Sequence, residues 1–257
     1  MKFIWFITIN VYPYFLRTMA KIDDININLS TLDDLSVENT SSPVLVNLET
    51  STQTFVIKNG FGVWGNNYSY QNVQSIGLAN STINTGSGDD SIDISTTAAA
   101  STFSNSWNWG VWNNNSNVNV DSVGLFNSPL NTGSGDDAIN INSLAKNEFI
   151  SFGQLNSDDA NVSSYGVYSS SINTGSGDDA ININSLAKNE YISFGQLNSD
   201  DANVFSYGVY SSSINTGSGD DSININASSV SLTRDLWGWG SREIGLGQSE
   251  AVGLENR

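Results

Sequence analysis

Four copies of one heptapeptide, Asn-Thr-Gly-Ser-Gly-Asp-Asp, constrain the fold of this chain more than any other feature. They begin at Asn84, Asn131, Asn173 and Asn215, and each continues after one small residue into Ile-x-Ile. A glycine-rich turn that ends in acids and runs into a short apolar strand is typical of a corner in a β-solenoid. Acids grouped at such a turn offer the oxygen ligands that calcium prefers.

The copies belong to a longer internal repeat. The segments 131–172 and 173–214 are near-copies of one another and differ at only two positions. A glycine also precedes the first acid of every pair by the same interval, at Gly77, Gly124, Gly166 and Gly208. Self-similarity at a fixed period is typical of solenoids, in which stacked repeats bury a continuous core that one repeat alone could not form.

A second acidic string, Asn-Ser-Asp-Asp-Ala, recurs midway between the glycine-rich copies. It adds the pairs Asp158-Asp159 and Asp200-Asp201, so that acid pairs follow one another at nearly even steps. We interpret the mean step of about 21 residues as one coil and expect two coils per repeat of about 42 residues. All the acid pairs would then form a single ladder along the solenoid.

Period-two alternation of apolar residues predicts strands, and almost no segment predicts a helix. Residues 138–142 read Ala-Ile-Asn-Ile-Asn, which places Ile on one face and Asn on the other. The predicted fold class is therefore all-β, a parallel β-solenoid of the β-helix or β-roll kind. We expect capping strands in 22–61, the repeat solenoid in 62–226 and a C-terminal cap or irregular tail in 227–257. Residues 1–21 are either an apolar leader or a mis-assigned start, with translation beginning at Met19.

The composition excludes several functional classes. Among 257 residues there is no His and no Cys, and nine Lys plus Arg oppose 26 acids, for a net charge of −17. The commonest general base, thiol nucleophiles, and the imidazole and thiolate ligands of zinc are therefore missing. Nucleic acid would be repelled, whereas cations would be attracted. The apolar N-terminal stretch is too short for a membrane span. We predict no catalytic residues and expect a protein that is not an enzyme.

Residues 85–93, Thr-Gly-Ser-Gly-Asp-Asp-Ser-Ile-Asp, resemble the nonapeptide Gly-Gly-x-Gly-x-Asp-x-apolar-x of bacterial RTX, or hemolysin-type, calcium-binding repeat proteins. The same fit holds at 132–140, 174–182 and 216–224. In this chain Thr replaces the first Gly of every copy, and the copies do not follow one another directly. The resemblance implies that the two glycines shape a turn whose carbonyls face a calcium ion (Ca2+). It also implies that the second Asp is a ligand and that the following Ile lies in the core.

The predicted metal site combines the glycines and acids of the four copies. These residues are Gly86, Gly88, Asp89, Asp90, Gly133, Gly135, Asp136, Asp137, Gly175, Gly177, Asp178, Asp179, Gly217, Gly219, Asp220 and Asp221, with Asp158, Asp159, Asp200 and Asp201 as a second candidate set. Carboxylates stacked about 4.8 Å apart repel by about 3–4 kcal/mol at an effective dielectric of ~20. A divalent cation between them would turn this repulsion into attraction. The alternative interpretation is a tight turn whose acids are simply solvated.

The sequence therefore favours a calcium-stabilised repeat protein, secreted or displayed on a cell surface, with a structural or adhesive role. Its expected partners are calcium ions and either cell-surface polysaccharide or further copies of the chain. A second hypothesis is a solenoid module that binds glycan or ice through a flat outward row of Thr, Asn or Ser. A third, a polysaccharide lyase or epimerase, shares only the fold class and lacks a distinctive catalytic group of residues in this chain.

Overall fold

A computed structural model describes residues 25–28, 32–33, 36–38, 43–61, 67–107, 114–153, 157–194, 200–235 and 248–255. The interpretation of residues 1–21 lies outside these ranges. The regular elements are all strands: β1 (Ile25–Asn28), β2 (Leu32–Asp33), β3 (Ser36–Glu38), β4 (Leu45–Phe61), β5 (Asn67–Ala79), β6 (Thr82–Asn84), β7 (Ser91–Trp107), β8 (Asn114–Phe126), β9 (Pro129–Asn131), β10 (Ala138–Gly153), β11 (Ser157–Tyr168), β12 (Ser171–Asn173), β13 (Ala180–Phe194), β14 (Asp200–Tyr210), β15 (Ser213–Asn215), β16 (Ser222–Asp235) and β17 (Gln248–Glu255).

The strands form three parallel sheets, which the chain visits in rotation. Sheet A joins β1, β4, β7, β10, β13 and β16; sheet B joins β2, β5, β8, β11, β14 and β17; sheet C joins β3, β6, β9, β12 and β15. Each strand pairs in parallel with the strand three elements later. The prediction of an all-β, parallel fold is confirmed, and the rotation through three sheets is consistent with a β-solenoid.

The predicted coil length is wrong, because one coil is a whole repeat. Ala138 pairs with Ala180 in register, and hydrogen bonds between equivalent residues of these two coils span 42 residues. The shorter step between acid pairs corresponds to half a coil. It relates Ser143 of sheet A to Ser164 of sheet B, whose buried hydroxyls hydrogen bond across the interior at 3.0 Å and are 21 residues apart.

A row of buried hydroxyls joins sheets A and B along the interior. Ser143 donates to Ser122 at 2.9 Å, Ser164 to Ser143 at 3.0 Å, Ser185 to Ser164 at 2.9 Å and Ser206 to Ser185 at 2.9 Å. A buried hydroxyl without a partner would cost about 1–3 kcal/mol. Because the row alternates between the two sheets, each serine satisfies its neighbours and ties one coil to the next.

Apolar side chains fill the interior on either side of this row. One cluster holds the Ile-x-Ile residues that follow each corner, including Ile139 and Ile141, which are fully buried. The other holds smaller residues such as Ala145 and Val162. Ile223 is the exception: it is 48% exposed, and β16 is the last described strand of sheet A.

The repeated glycine of sheet B lies opposite this isoleucine cluster. A Cβ built on Gly124 would lie 2.4 Å from Cγ2 of Ile141 and 2.5 Å from the carbonyl oxygen of Gly166. Both distances are far below van der Waals contact. Each repeat therefore needs glycine here because the second Ile of Ile-x-Ile occupies the space that a side chain would take.

The three sheets continue into the segments expected to be caps. β4 pairs with β7 along its whole length, from Leu45 to Phe61. At the other end, β16 pairs with β13 and β17 pairs with β14. Strands from 22–61 and 227–257 thus belong to the same sheets as the central repeats. The described part of the chain contains no helix with the length and apolar character needed to cross a membrane.

Candidate cation-binding corners

The Gly-Ser-Gly turns stack on one another where the chain passes from sheet C to sheet A. Gly133 and Gly135 have φ angles of 94° and 132°, in the region that glycine adopts most readily. A Cβ on Gly133 would lie 2.0 Å from the carbonyl oxygen of Gly86 in the neighbouring coil. Glycine is thus required both by the backbone conformation and by the close approach of successive turns.

Backbone hydrogen bonds between the turns use several of the carbonyls that the resemblance assigns to calcium. The N–H of Ser134 donates to the carbonyl oxygen of Gly86 at 3.0 Å, and the N–H of Ser176 donates to that of Gly133 at 3.1 Å. A carbonyl oxygen has two lone pairs, so each of these atoms retains one acceptor site. One lone pair of each glycine carbonyl thus joins neighbouring turns, and only the other lone pair is open to a cation.

The first acids of the four pairs form an exposed column. They are Asp89, Asp136, Asp178 and Asp220. Oδ1 of Asp89 accepts the N–H of Asp136 at 3.0 Å, and Oδ1 of Asp136 accepts the N–H of Asp178 at 2.9 Å. Each of these carboxylates thus reaches towards the following coil.

The second acids form a parallel column that reaches the other way and is buried in the first three copies, whereas Asp221 is partly exposed. Asp90 and Asp137 are 2% exposed and Asp179 is 1% exposed. Oδ1 of Asp137 accepts the N–H of Asp90 at 2.8 Å, and Oδ1 of Asp179 accepts the N–H of Asp137 at 3.0 Å. The gap between two coils is therefore bridged by two carboxylates, one from each coil, such as Asp89 and Asp137.

The second carboxylate oxygen of the buried column is incompletely satisfied. Oδ2 of Asp90 accepts a hydrogen bond from the Thr85 hydroxyl. Oδ2 of Asp137 and Oδ2 of Asp179 are buried without a hydrogen-bond partner. The nearby Thr132 and Thr174 hydroxyls donate to the carbonyls of Thr174 and Thr216, at 3.3 and 3.1 Å. Buried acceptors without partners are rare in native proteins and call for a proton, a water or an ion.

Thr85 and its equivalents are the residues that the sequence analysis missed. The sequence comparison noted these threonines only because they replace the first Gly of the nonapeptide. The structure buries Thr85, Thr132 and Thr174 completely beside the aspartate column. The presence of Thr in all four copies was the available signal.

Burial raises the pKa of two carboxyls of this column above the usual value of 3.8. For Asp90, hydrogen bonds from Thr85 and from the N–H of Val44 lower the pKa by less than burial raises it, and the charge of Asp89 raises it further. For Asp137, the nearby Thr132 hydroxyl and the N–H of Asp90 lower the pKa, again by less than burial and the charges of Asp90 and Asp179 raise it. Ionisation of these two carboxyls is thus less favourable in the folded chain than in the unfolded chain.

These shifts predict that acid stabilises the protein when no metal is present. The folded state holds a proton on Asp90 and Asp137 at pH values where the unfolded state, with a pKa near 3.8, has lost it. Stability from these groups is therefore complete below about pH 3.8 and is lost as the pH rises through the raised folded pKa values. Urea unfolding in chelator between pH 7 and pH 4 should show rising stability. A stability that falls steadily over this range would contradict the assignment.

The second candidate set of acids lies elsewhere. Asp158 pairs with Asp200 and Asp159 pairs with Asp201, all in strands of sheet B. The interpretation of these acids as intermediate rungs of one ladder is therefore wrong. Because a coil spans the whole repeat, the Asn-Ser-Asp-Asp-Ala strings lie half a coil away from the Gly-Ser-Gly corners.

The corners bring acids together in pairs and columns without forming a closed cage. Among the residues whose side chains are described, no group of three or more acidic side chains is placed to hold a metal ion. A cation between two coils would draw on two carboxylates, backbone oxygens and water. Calcium accepts such an irregular set of oxygen ligands, and a site with only a few protein ligands binds calcium weakly.

Comparison of the chain with protein-family models, with curated proteins and with solved structures found no match. The likeness to RTX repeats therefore rests on the nonapeptides alone. Any function must be argued from the corners themselves.

Proposed function

We propose that this chain is a non-catalytic structural or adhesive β-solenoid, located outside the cell or on its surface, whose aspartate corners bind calcium between neighbouring coils. The observation that carries the proposal is the pair of buried Oδ2 atoms, on Asp137 and Asp179, that lack a hydrogen-bond partner. They lie in consecutive coils of a chain with a net charge of −17.

Electrostatics supports a cation at these corners. Stacked carboxylates at the strand spacing of about 4.8 Å repel one another, and burial weakens the screening by water and salt. The two ion pairs of the described residues, Lys146–Glu148 and Lys188–Glu190, both lie in sheet A strands away from the corners. Neither of these two ion pairs neutralises a corner carboxylate, so protons and dissolved cations are the candidates for relieving the repulsion.

A weak site suits the proposed location. Sites with few protein ligands bind calcium in the range of about 0.1–1 mM, which is typical of extracellular modules. Binding that is specific to the folded state adds to folding stability by mass action. The same acid pair recurs at four successive corners, which supports a structural role, because catalysis requires one distinctive group of residues.

A calcium titration of thermal stability tests this proposal. A site at ten times its dissociation constant contributes about 1.4 kcal/mol, and 1 kcal/mol raises the melting temperature of a chain of this size by about 2–4 °C. With one site in each of the three gaps between the four corners, we expect the melting temperature in calcium to be about 5–15 °C higher than in chelator. Circular dichroism measures both melting temperatures. An equal effect of magnesium would indicate general charge screening, and no effect would contradict the proposal.

Glycan binding is the second candidate, because asparagines form regular outward rows. One row contains Asn84, Asn131, Asn173 and Asn215, and the amide of Asn173 donates to Asn131 at 2.8 Å while that of Asn215 donates to Asn173 at 2.7 Å. These amides are already engaged with one another along the row. The row therefore contributes first to joining the coils, which again favours the structural role.

A further inference from the structure

The C-terminal end of the stack presents core residues and an unpaired strand edge. Within the described residues β16 pairs with β13 on one side only, and β17 pairs with β14 on one side only. Ile223 is 48% exposed, whereas Ile139 and Ile181 at the same position of the preceding coils are 0% and 1% exposed. A free edge beside exposed apolar side chains is a template for the addition of another strand.

The N-terminal end of the stack carries a strand that matches this edge. β1 has the sequence Ile-Asn-Ile-Asn, and the same four residues occupy 223–226 in β16. Ile25 pairs with Val46 and Ile27 with Leu48, both of which are buried. Ile25 and Ile27 therefore hold the register positions that Ile223 and Ile225 hold in β16.

The likeness between the two ends continues into the acids. Asp23 stands two positions before Ile25, as Asp221 stands before Ile223. Within the stack, Ile-Asn-Ile-Asn already lies on Ile-Asn-Ile-Asn: Ile181 pairs with Ile223 and Asn184 with Asn226. The side-chain amide of Asn226 donates to Asn184 at 3.0 Å. The pairing of β13 with β16 is thus the same contact that the two ends of the stack would make between copies.

We propose that a second copy of this chain docks its β1 against β16, head to tail and in parallel, with Ile25 opposite Ile223. Both contacting edges are unpaired among the described strands, and the outer edge of β2 then faces that of β17. The contact repeats the geometry that joins β13 to β16 and covers Ile223. Because the two contacting surfaces differ, the contact leaves a free end on each copy and produces filaments of many copies. The proposal concerns the ends of the stack and does not depend on calcium at the corners.

Complementary blocking variants test the proposal. Ile223→Lys places a charge at the C-terminal edge, and Ile25→Lys places one at the N-terminal edge. Sedimentation of the unmodified chain should show assemblies that grow with concentration beyond dimers. Either variant alone should be monomeric, whereas an equal mixture should form dimers and nothing larger, since only one compatible junction remains. A monomeric parent chain, a single variant that still assembles, or a monomeric mixture would overturn the proposal.

Cysteine cross-linking gives an independent measurement that does not depend on charged substitutions. The chain has no cysteine of its own. Register places Asn26 of one copy opposite Asn224 of the other, and strands about 4.8 Å apart allow a disulfide between such positions. Mixed Asn26→Cys and Asn224→Cys copies should cross-link under oxidised glutathione. The control pair Asn26→Cys and Asn226→Cys is two positions out of register and should not. Equal cross-linking of both pairs, or of Asn224→Cys copies alone, would contradict the parallel head-to-tail register.

Repeating both measurements in calcium and in chelator separates this inference from the proposed function. If assembly is the same in both conditions and the melting temperature does not respond to calcium, calcium binding at the corners is refuted and head-to-tail assembly is supported. If the chain is strictly monomeric and its melting temperature depends on calcium, head-to-tail assembly is refuted and calcium binding at the corners is supported.

Discussion

Substitution of Gly166 by Ala is expected to destabilise the protein by about 3 kcal/mol or more, a larger effect than most single-methyl insertions. The added Cβ would lie 2.3 Å from Cγ2 of Ile183 and 2.5 Å from the carbonyl oxygen of Gly208. Overpacking of a core typically costs about 1–3 kcal/mol when side chains can move. Here one of the two contacts is with backbone that the parallel ladder holds in place, so relaxation is limited.

The chain supplies a matched control for this substitution at the end of the same glycine column. Gly253 lies in β17, and the nearest atoms to a Cβ built on it are the carbonyl oxygen and Cγ2 of Ile225, at 3.8 and 3.9 Å. Gly253→Ala should therefore change the free energy of unfolding by less than about 0.5 kcal/mol. Urea denaturation of both variants measures the difference. Equal losses from the two variants would show that the glycine column is not required for packing against the isoleucines.

The double variant Asp90→Asn/Asp137→Asn is expected to stabilise the calcium-free protein at pH 7 and to weaken its response to calcium. Each Asn keeps the oxygen that accepts a backbone N–H, from Val44 or from Asp90. Its amide group replaces the buried Oδ2 and faces a threonine hydroxyl, which can accept a hydrogen bond. An unsatisfied buried acceptor costs about 1–3 kcal/mol, and Oδ2 of Asp137 is such an acceptor, whereas Oδ2 of Asp90 already accepts from Thr85. A total gain on the order of 1 kcal/mol is therefore expected, mainly from the Asp137 site.

A double variant in sheet B is the control for net charge. Asp159→Asn/Asp201→Asn removes two charges from paired positions of neighbouring coils. Thermal melts of the two variants, with calcium and with chelator, compare the buried corner with this second set. If the sheet B variant loses the calcium response and the corner variant keeps it, the site lies at the Asn-Ser-Asp-Asp-Ala strings. If the corner variant is less stable in chelator than the unmodified chain, the buried carboxylates already have adequate hydrogen-bond partners and the prediction is wrong.

The local structure of the repeat could be predicted because it depends on neighbouring residues. Alternation in 138–142 fixes which side chains share a face of a strand, and Ile139 and Ile141 are buried as this pattern predicts. The Gly-x-Gly of each corner predicts a turn, and Gly133 and Gly135 do adopt positive φ. These features need no information about which segments meet in space.

The candidate site could be predicted only in part, because burial depends on the stacking of coils. The sequence places Asp136 and Asp137 side by side with equal chemistry. Stacking exposes Asp136, which lies in the bend, and buries Asp137, which directly precedes β10 and accepts the N–H of Asp90 in the neighbouring coil. The unsatisfied Oδ2 atom and the neighbouring Thr132 follow from that burial, and nothing in the local sequence distinguishes the two acids.

The sequence by itself determined the strand faces, the glycine turns, the parallel all-β class and the repeat unit, because each depends on local conformation or on direct repetition. Only the tertiary structure decided that this unit is one coil. Two strings with the same acids, half a repeat apart, are equally compatible with two stacked coils and with two sheets of one coil that face each other. The backbone register of β10 with β13 resolves this choice, because hydrogen-bond pairing acts between segments 42 residues apart.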